Sequence, residues 1–320
     1  MSDDARWMGA ALALAERTRG QTAPNPNVGC VIVRDGRVVG RGWTQPGGRP
    51  HAEAMALQQA GSAAHGATAY VTLEPCAHAS ARGPACADLL IASGVARVVA
   101  AMRDPDPRTN GAGLARLADA GIKTACGVRA DDAALSMAGF LTRRSRGRPF
   151  VTLKLALSLD GGVAMADGRS QWITGPEARA HAHLERSRHE LILIGALTLA
   201  TDAPRLDVRL PGLEGRSPTR VVLGRRTDAP PGWIAIRSPG DIPDLPGDHL
   251  MVEGGAATAA AFLAEDLVDR LILYRAPILI GDARTLGDIG LTDLPAAHGR
   301  WRMIQSRQLG VDTLEVYQRA

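Results

Sequence analysis

Four residues between positions 51 and 86 have the types and spacing of a hydrolytic metal centre: His51, Glu53, Cys76 and Cys86. An imidazole and two thiolates form a soft-to-borderline donor set that suits zinc. Three protein ligands leave a fourth position for water, whose pKa the metal would lower towards neutrality. Glu53, two residues after the histidine, is then placed to carry protons rather than to bind metal. A purely structural zinc site would want a fourth cysteine or histidine, and His78 is available for that part. The two readings therefore predict different coordination.

The flanking pattern brings these residues to element ends, where a site can be assembled. After Pro50, the run Ala54-Met55-Ala56-Leu57 starts a helix, so His51 and Glu53 fall in its first turn. Residues Gly66 to Leu73 read as a buried strand, with Cys76 in the loop just beyond. Cys86 opens the apolar helix Leu89-Leu90-Ile91-Ala92, and a helix N-terminus favours a thiolate. His-x-Glu followed by Pro-Cys-x-x-Cys is the signature of zinc nucleobase deaminases. Here nine residues, rather than two, separate Cys76 from the next cysteine.

Composition limits what else the chain can be. Its 320 residues suffice for two domains, and 45% hydrophobic with 22% charged residues describes a globular protein. No stretch approaches a membrane span, and Met1-Ser2-Asp3-Asp4 is not a basic segment leading into an apolar one. A cytoplasmic location and no membrane partner are expected. Four cysteines over this length are not a disulfide framework. Cys30 and Cys126 sit in strand-like runs and read as packed thiols. The net charge of +4 raises nucleic acid as a partner, but aromatics at 3% leave few platforms for stacked bases. No nucleic-acid partner is expected; scattered arginines suit a phosphorylated small molecule, and a homo-oligomer is expected.

Along the chain, residues 5–19 carry a helical period that Gly20 ends. Thr22 to Gly29 is turn-rich, and Asp35-Gly36 joins two strands in a hairpin. Asn25 and Asn27, braced by prolines, could satisfy turns or present amides to a planar base. After the cysteines come a strand (96–102), a helix (113–120), a strand (122–126) and a helix (131–142). This strand–helix alternation argues for an α/β sandwich. The charged stretch Arg143 to Pro149 reads as a linker or a solvated helix end, dividing domains 1–146 and 147–320. The second half shows strands at 150–156, 191–195, 220–223, 249–252, 271–274 and 277–280, and a hairpin near 303–316. A helix starts at Pro176, a polar loop holds Thr198 and Asp202, and Gly254-Gly255 precedes another helix whose free amides could cradle a phosphate.

These residues closely resemble the RibD family of bifunctional deaminase–reductases of riboflavin biosynthesis over nearly the whole chain. The most specific segments are Pro24 to Cys30, His51-Ala52-Glu53, Tyr70 to Cys76, Leu153-Lys154-Leu155, Ser158 to Gly161 and Ser170 to Thr174. The resemblance implies an α/β protein: a cytidine-deaminase-like N-terminal sandwich with zinc, then a dihydrofolate-reductase-like α/β domain using NADPH. The expected substrate is a phosphorylated pyrimidine, deaminated and then reduced from ribosyl to ribityl. Position by position, Ala156, Trp172, Thr198, Asp202 and Gly255, Ala256, Ala257, Thr258, Ala259, Ala260 and Ala261 fall at expected NADPH contacts. Asn25, Asn27, Lys154, Ser170, Arg186, Leu206, Arg209 and Glu253 fall at expected substrate contacts. The sequence departs from the family pattern in several places, a short loop after Arg209 among them. The run between the zinc cysteines is one residue longer, which shifts Arg82; the family's Asp-Asp-Pro is Asp202-Ala203-Pro204; and an Asp-Ser pair is Gly224-Arg225. An arginine at 225 is suited to the 2′-phosphate of NADPH. The competing expectations are a deaminase whose second half has lost reduction, a polynucleotide deaminase, and a zinc scaffold without catalysis.

Overall fold

The computed structural model describes residues 3–78, 83–225 and 229–320. Contacts divide the chain into two compact units, Met1–Arg146 and Gly147–Ala320.

The first unit runs α1 (Asp3–Ala15), β1 (Gly29–Arg34), β2 (Arg37–Trp43), α2 (Ala52–Ala60), β3 (Thr68–Val71), α3 (Cys86–Ala92), β4 (Arg97–Ala100), α4 (Ala112–Asp119), β5 (Lys123–Cys126), α5 (Ala130–Ser136) and α6 (Ala138–Arg146). The sheet order is β2-β1-β3-β4-β5. β1 pairs antiparallel with β2 and β3, and β3, β4 and β5 are parallel. Side chains alternate faces along a strand, so Gly29 and the paired Cys30 and Gly42 address opposite sides. A Cβ on Gly29 would strike the Ala11 carbonyl of α1, and one on Gly42 the Ala52 carbonyl of α2. Helices therefore lie directly on both faces, giving an α/β/α sandwich, and α2 is drawn close enough to set His51 and Glu53 against the sheet.

The charged stretch at 143–146 is the last turn of α6 rather than an extended linker, and the helix expected over 131–142 breaks into α5 and α6 at Met137. Cys30 is buried, but Cys126 ends an edge strand and is exposed, so it is not the packed thiol expected.

The second unit runs β6 (Phe150–Leu157), β7 (Ala164–Met165), α7 (Pro176–Arg186), β8 (Leu191–Gly195), α8 (Ala196–Asp202), β9 (Thr219–Leu223), β10 (Ile234–Ile236), β11 (His249–Val252), α9 (Ala256–Ala264), β12 (Arg270–Arg275), β13 (Ala283–Arg284), β14 (Trp301–Leu309) and β15 (Asp312–Arg319). Eight strands order as β10-β9-β8-β11-β6-β12-β15-β14. The first six are parallel, and β15 and β14 are antiparallel additions. β8 is buried at all five residues, as a parallel strand covered on both faces should be. Ala259, Phe262 and Leu263 of α9 pack on Val151, Leu153, Leu191 and Leu193. Ala178 and Ala182 of α7 pack on the other face, against Ile272, Tyr274, Leu314 and Val316.

Two expectations fail here. Thr198 and Asp202 lie on the helix α8, not in a loop; the alanine-leucine content of 196–200 outweighs its one threonine. Residues 277–280 form no strand. That segment is instead tied down by Asp160, whose carboxylate accepts the Ile280 and Gly281 N–H groups. Among the described residues no helix is long and apolar enough to cross a membrane.

Candidate active sites

In the first unit, His51 caps α2, and Glu53 follows in its first turn, buried. Cys86 is the first residue of α3. His51 Nδ1 lies 3.3 Å from Cys86 Sγ and 3.8 Å from Cys76 Sγ. The Cys86 N–H donates to Cys76 Sγ at 3.2 Å. The three ligand atoms lie within 4.8 Å of one another, and among the described residues no other His, Cys, Asp or Glu joins this cluster. His78 is outside it, its Nδ1 3.4 Å from Thr109 Oγ1. Arg82 lies outside the described residues.

Asn25 Nδ2 donates to the Gly48 carbonyl at 2.7 Å and lies 3.2 Å from His51 Nε2, so it braces the ring edge opposite the sulfurs. Asn27 goes elsewhere. Its buried amide meets the Ala15 carbonyl and Ser136, joining α1 to α5.

The electrostatics favour a cation. A hydrogen bond from Cys86 is the largest influence on Cys76 and, with His51, brings its thiol down to about 4 against burial. The same bond, then burial and Glu53, pushes Cys86 up. Two thiols this close share one proton, and a divalent ion in the proton's place neutralises both. Burial raises the Glu53 carboxyl, partly countered by His51. Its Oε2 is buried without a hydrogen-bond partner, and an orphaned carboxylate oxygen there requires a proton or a polar ligand. One nitrogen and two sulfurs fit zinc with a fourth position open to water, and the Glu53 oxygen stands beside that position without being a ligand.

The sequence reading passed over Glu74. Buried beside Cys76, its carboxylate accepts backbone N–H groups from Asp104, Gly111, Gly113 and Leu114. Its partners lie 30 to 40 residues away, so no local pattern could have found them.

In the second unit, the carboxyl ends of β6, β8 and β11 gather most of the remaining candidates, where open parallel sheets bind ligands. Arg186 grips Glu253 in a fork, Nε to Oε1 at 2.6 Å and Nη2 to Oε2 at 2.8 Å. Lys154 Nζ lies 3.6 Å from the same carboxylate. Burial raises the Glu253 carboxyl, but Arg186 and Lys154 more than reverse this and bring it to about 2. Arg186 also donates to the Asp207 carbonyl, and Arg209 pairs with the Asp207 carboxylate at 2.7 Å. Leu206 between them is buried with φ 54°, a strained left-handed residue that fixes the loop.

Gly255 caps α9, and no side chain caps the helix's first amides. Thr258 lies so near Gly195 and Gly254 that a Cβ on either would strike it, and Thr198 Oγ1 faces Gly255. Free amides, two hydroxyls and glycine-lined backbone fit a cofactor phosphate. Ala259 and Ala260 turn into the core. Ala156 lies on β6 beside Tyr274. Asp202 and Ser170 are exposed, as is Trp172, with the Arg179 guanidinium 4.9 Å from its ring centre.

Comparison with known proteins identifies the family of each unit. Residues 1–102 match the cytidine and deoxycytidylate deaminase zinc-binding region, and residues 149–234 and 243–314 match the RibD C-terminal domain. The riboflavin biosynthesis protein RibD of Escherichia coli is 40% identical, with 97% of each chain covered. Its counterpart in Mycobacterium tuberculosis is 38% identical over 96% of this chain and 95% of its own. Among solved structures, Acinetobacter baumannii RibD superposes with TM-score 0.88 at 37% identity, covering 99% of both chains. A diaminohydroxyphosphoribosylaminopyrimidine deaminase/5-amino-6-(5-phosphoribosylamino)uracil reductase from Thermotoga maritima gives TM-score 0.88 at 31% identity, again over 99% of both. A zinc deaminase unit followed by a dihydrofolate-reductase-like, NADPH-using unit, matched along almost its entire length, places this chain in the RibD family of bifunctional deaminase–reductases of riboflavin biosynthesis.

Proposed function

We propose that residues 1–146 deaminate 2,5-diamino-6-(5-phosphoribosylamino)pyrimidin-4(3H)-one and that residues 147–320 reduce the resulting 5-amino-6-(5-phosphoribosylamino)uracil. The observation that carries the first step is the buried, unpartnered Glu53 oxygen beside His51, Cys76 and Cys86. Zinc held by those three side chains would activate water as the hydrolytic nucleophile. Glu53 takes the first proton from this water and passes it to the ring nitrogen, then carries the second, from the newly formed C–OH, to the departing amine. A C–O bond forms at the amine-bearing carbon, its C–N bond breaks, and ammonia leaves. Asn25 holds the His51 ring from the far side and lies near the substrate; Asn27 supports that segment from within the fold.

For the second step, bound NADPH would supply the hydride that C1 of the sugar accepts in its ring-opened imine form. Amides at Gly255–Ala257, with Thr198 and Thr258, would hold its phosphates, and Ala156, Trp172 and Asp202 would flank it. Glu253 stays ionised and so accepts hydrogen bonds from sugar hydroxyls rather than giving protons. Arg186 does not deprotonate, which leaves Lys154 to protonate the exocyclic nitrogen as hydride arrives. Arg209 meets the substrate phosphate, whose oxygens match its planar guanidinium; Arg186, its fork engaged by Glu253, adds positive charge and holds that carboxylate towards the substrate, and Ser170 and Leu206 border the phosphate.

We further propose a cytoplasmic enzyme, because two ligand thiolates must stay reduced, and a homo-oligomer. β14 is a sheet edge exposed from Arg302 to Gln308, and a second copy of the same strand can pair with it. Feeding the diaminopyrimidine ribotide with and without NADPH tests the whole reading. Ammonia should appear in both cases, and cofactor absorbance should fall only after deamination. Ammonia without NADPH oxidation would reduce the chain to a deaminase.

A further inference from the structure

Glu74 lies two residues before the ligand Cys76, and its side chain gathers two distant pieces of chain. Oε2 accepts from Asp104 N at 3.3 Å and Gly111 N at 2.9 Å, which are the two ends of one loop. Oε1 accepts from Gly113 N at 2.9 Å and Leu114 N at 3.1 Å, in the first turn of α4. A Cβ on Gly113 would strike the Pro75 carbonyl, so this turn rests on the peptide next to Cys76. The pinched loop is braced internally. Asp104 accepts the Asp106 N–H, and the Asp106 carboxylate is held by Arg108 and Arg144. Thr109 near its end is buried, and its hydroxyl reaches His78 Nδ1. His78 is only partly buried and follows Cys76 by two residues.

We propose that Glu74 and Thr109 are positioning residues for deamination: Glu74 closes the Asp104–Gly111 loop onto the Cys76 segment, and Thr109 thereby aims the His78 ring at the bound pyrimidine ribotide. This rests on the deaminase reading above. The carboxylate is the only side-chain form with four acceptor sites in the right place. In Glu74→Gln one oxygen becomes an NH2 group facing two N–H donors, so one of the two pinch points opens. Thr109→Val keeps shape and burial but removes the hydroxyl, while Thr109→Ser keeps the hydroxyl.

The test uses the full-length zinc-loaded enzyme, with steady-state deamination, zinc content and NADPH-dependent reduction measured for each variant. Losing one hydrogen bond that orients His78 should raise the deamination KM about tenfold in Thr109→Val. Glu74→Gln should raise it at least as far. Thr109→Ser should restore it, and zinc stoichiometry and reduction should stay at wild-type values. An unchanged deamination KM in Thr109→Val with zinc retained overturns the proposal, as does an effect that Thr109→Ser fails to rescue. Should Glu74→Gln not fold, Thr109→Val alone decides. Failure of the wild-type enzyme to deaminate would instead count against the underlying reading.

Discussion

Replacing Arg186 by methionine removes a charge from the best-defined ion cluster in the second unit while keeping most of the side-chain volume. Glu253 is only 6% exposed and Arg186 14%. Its carboxyl falls from 4.5 to about 2 in the fold, because Arg186 and Lys154 outweigh the burial that would raise it. That difference amounts to about 3 kcal/mol of folding stability at neutral pH. The folded pKa is the lower one, so this contribution is complete above about pH 4.5 and is lost as pH falls towards 2. In Arg186→Met the carboxylate keeps only the more distant ammonium. The variant should therefore lose roughly 3 kcal/mol at pH 7, in line with breaking a buried pair from one side. The deficit should shrink steadily below pH 4.5, as Glu253 takes up a proton in both proteins. Urea unfolding at a series of pH values measures this, with the transition of the second unit identified by its shift with NADPH. A deficit under about 1 kcal/mol, or one that stays constant from pH 7 to 3, would refute the reasoning.

Two further outcomes follow from the same geometry. Glu53→Gln should bind zinc normally, yet lose deamination by about 10²-fold or more while reduction persists; parallel metal analysis and ammonia release check it, and retained turnover removes Glu53 from proton transfer. Arg225→Ala, just past the carboxyl end of β9, should weaken NADPH about tenfold and leave NADH unaffected, since only NADPH carries the 2′-phosphate; titration of cofactor fluorescence reads both affinities, and equal losses would sink the assignment.

The parts of the sites that the sequence revealed are those set by local rules. His51 and Glu53 could be placed in a helix's first turn, and Cys86 at the start of another, because proline, small residues and apolar runs mark those ends. The buried parallel strand Leu191–Gly195 was legible for the same reason. Long-range partners were not. Nothing in Leu73-Glu74-Pro75 foretells that the carboxylate takes N–H groups from residues 104 to 114. Neither does the sequence say that Asn27 would be spent on Ser136, 109 residues away. Residues 277–280 had strand composition, but lacked a neighbouring strand and were fixed by Asp160 instead. Cys126 failed by position: an edge strand leaves a thiol in water that a central strand would have covered.

The most direct check is zinc-edge X-ray absorption on the resting enzyme, supported by a crystal structure. One imidazole nitrogen, two sulfurs and a single light-atom scatterer from solvent are expected, with Glu53 alongside but not bound. A second imidazole, from His78 for instance, or a third sulfur would close the reactive position, and hydrolysis by this centre would be ruled out.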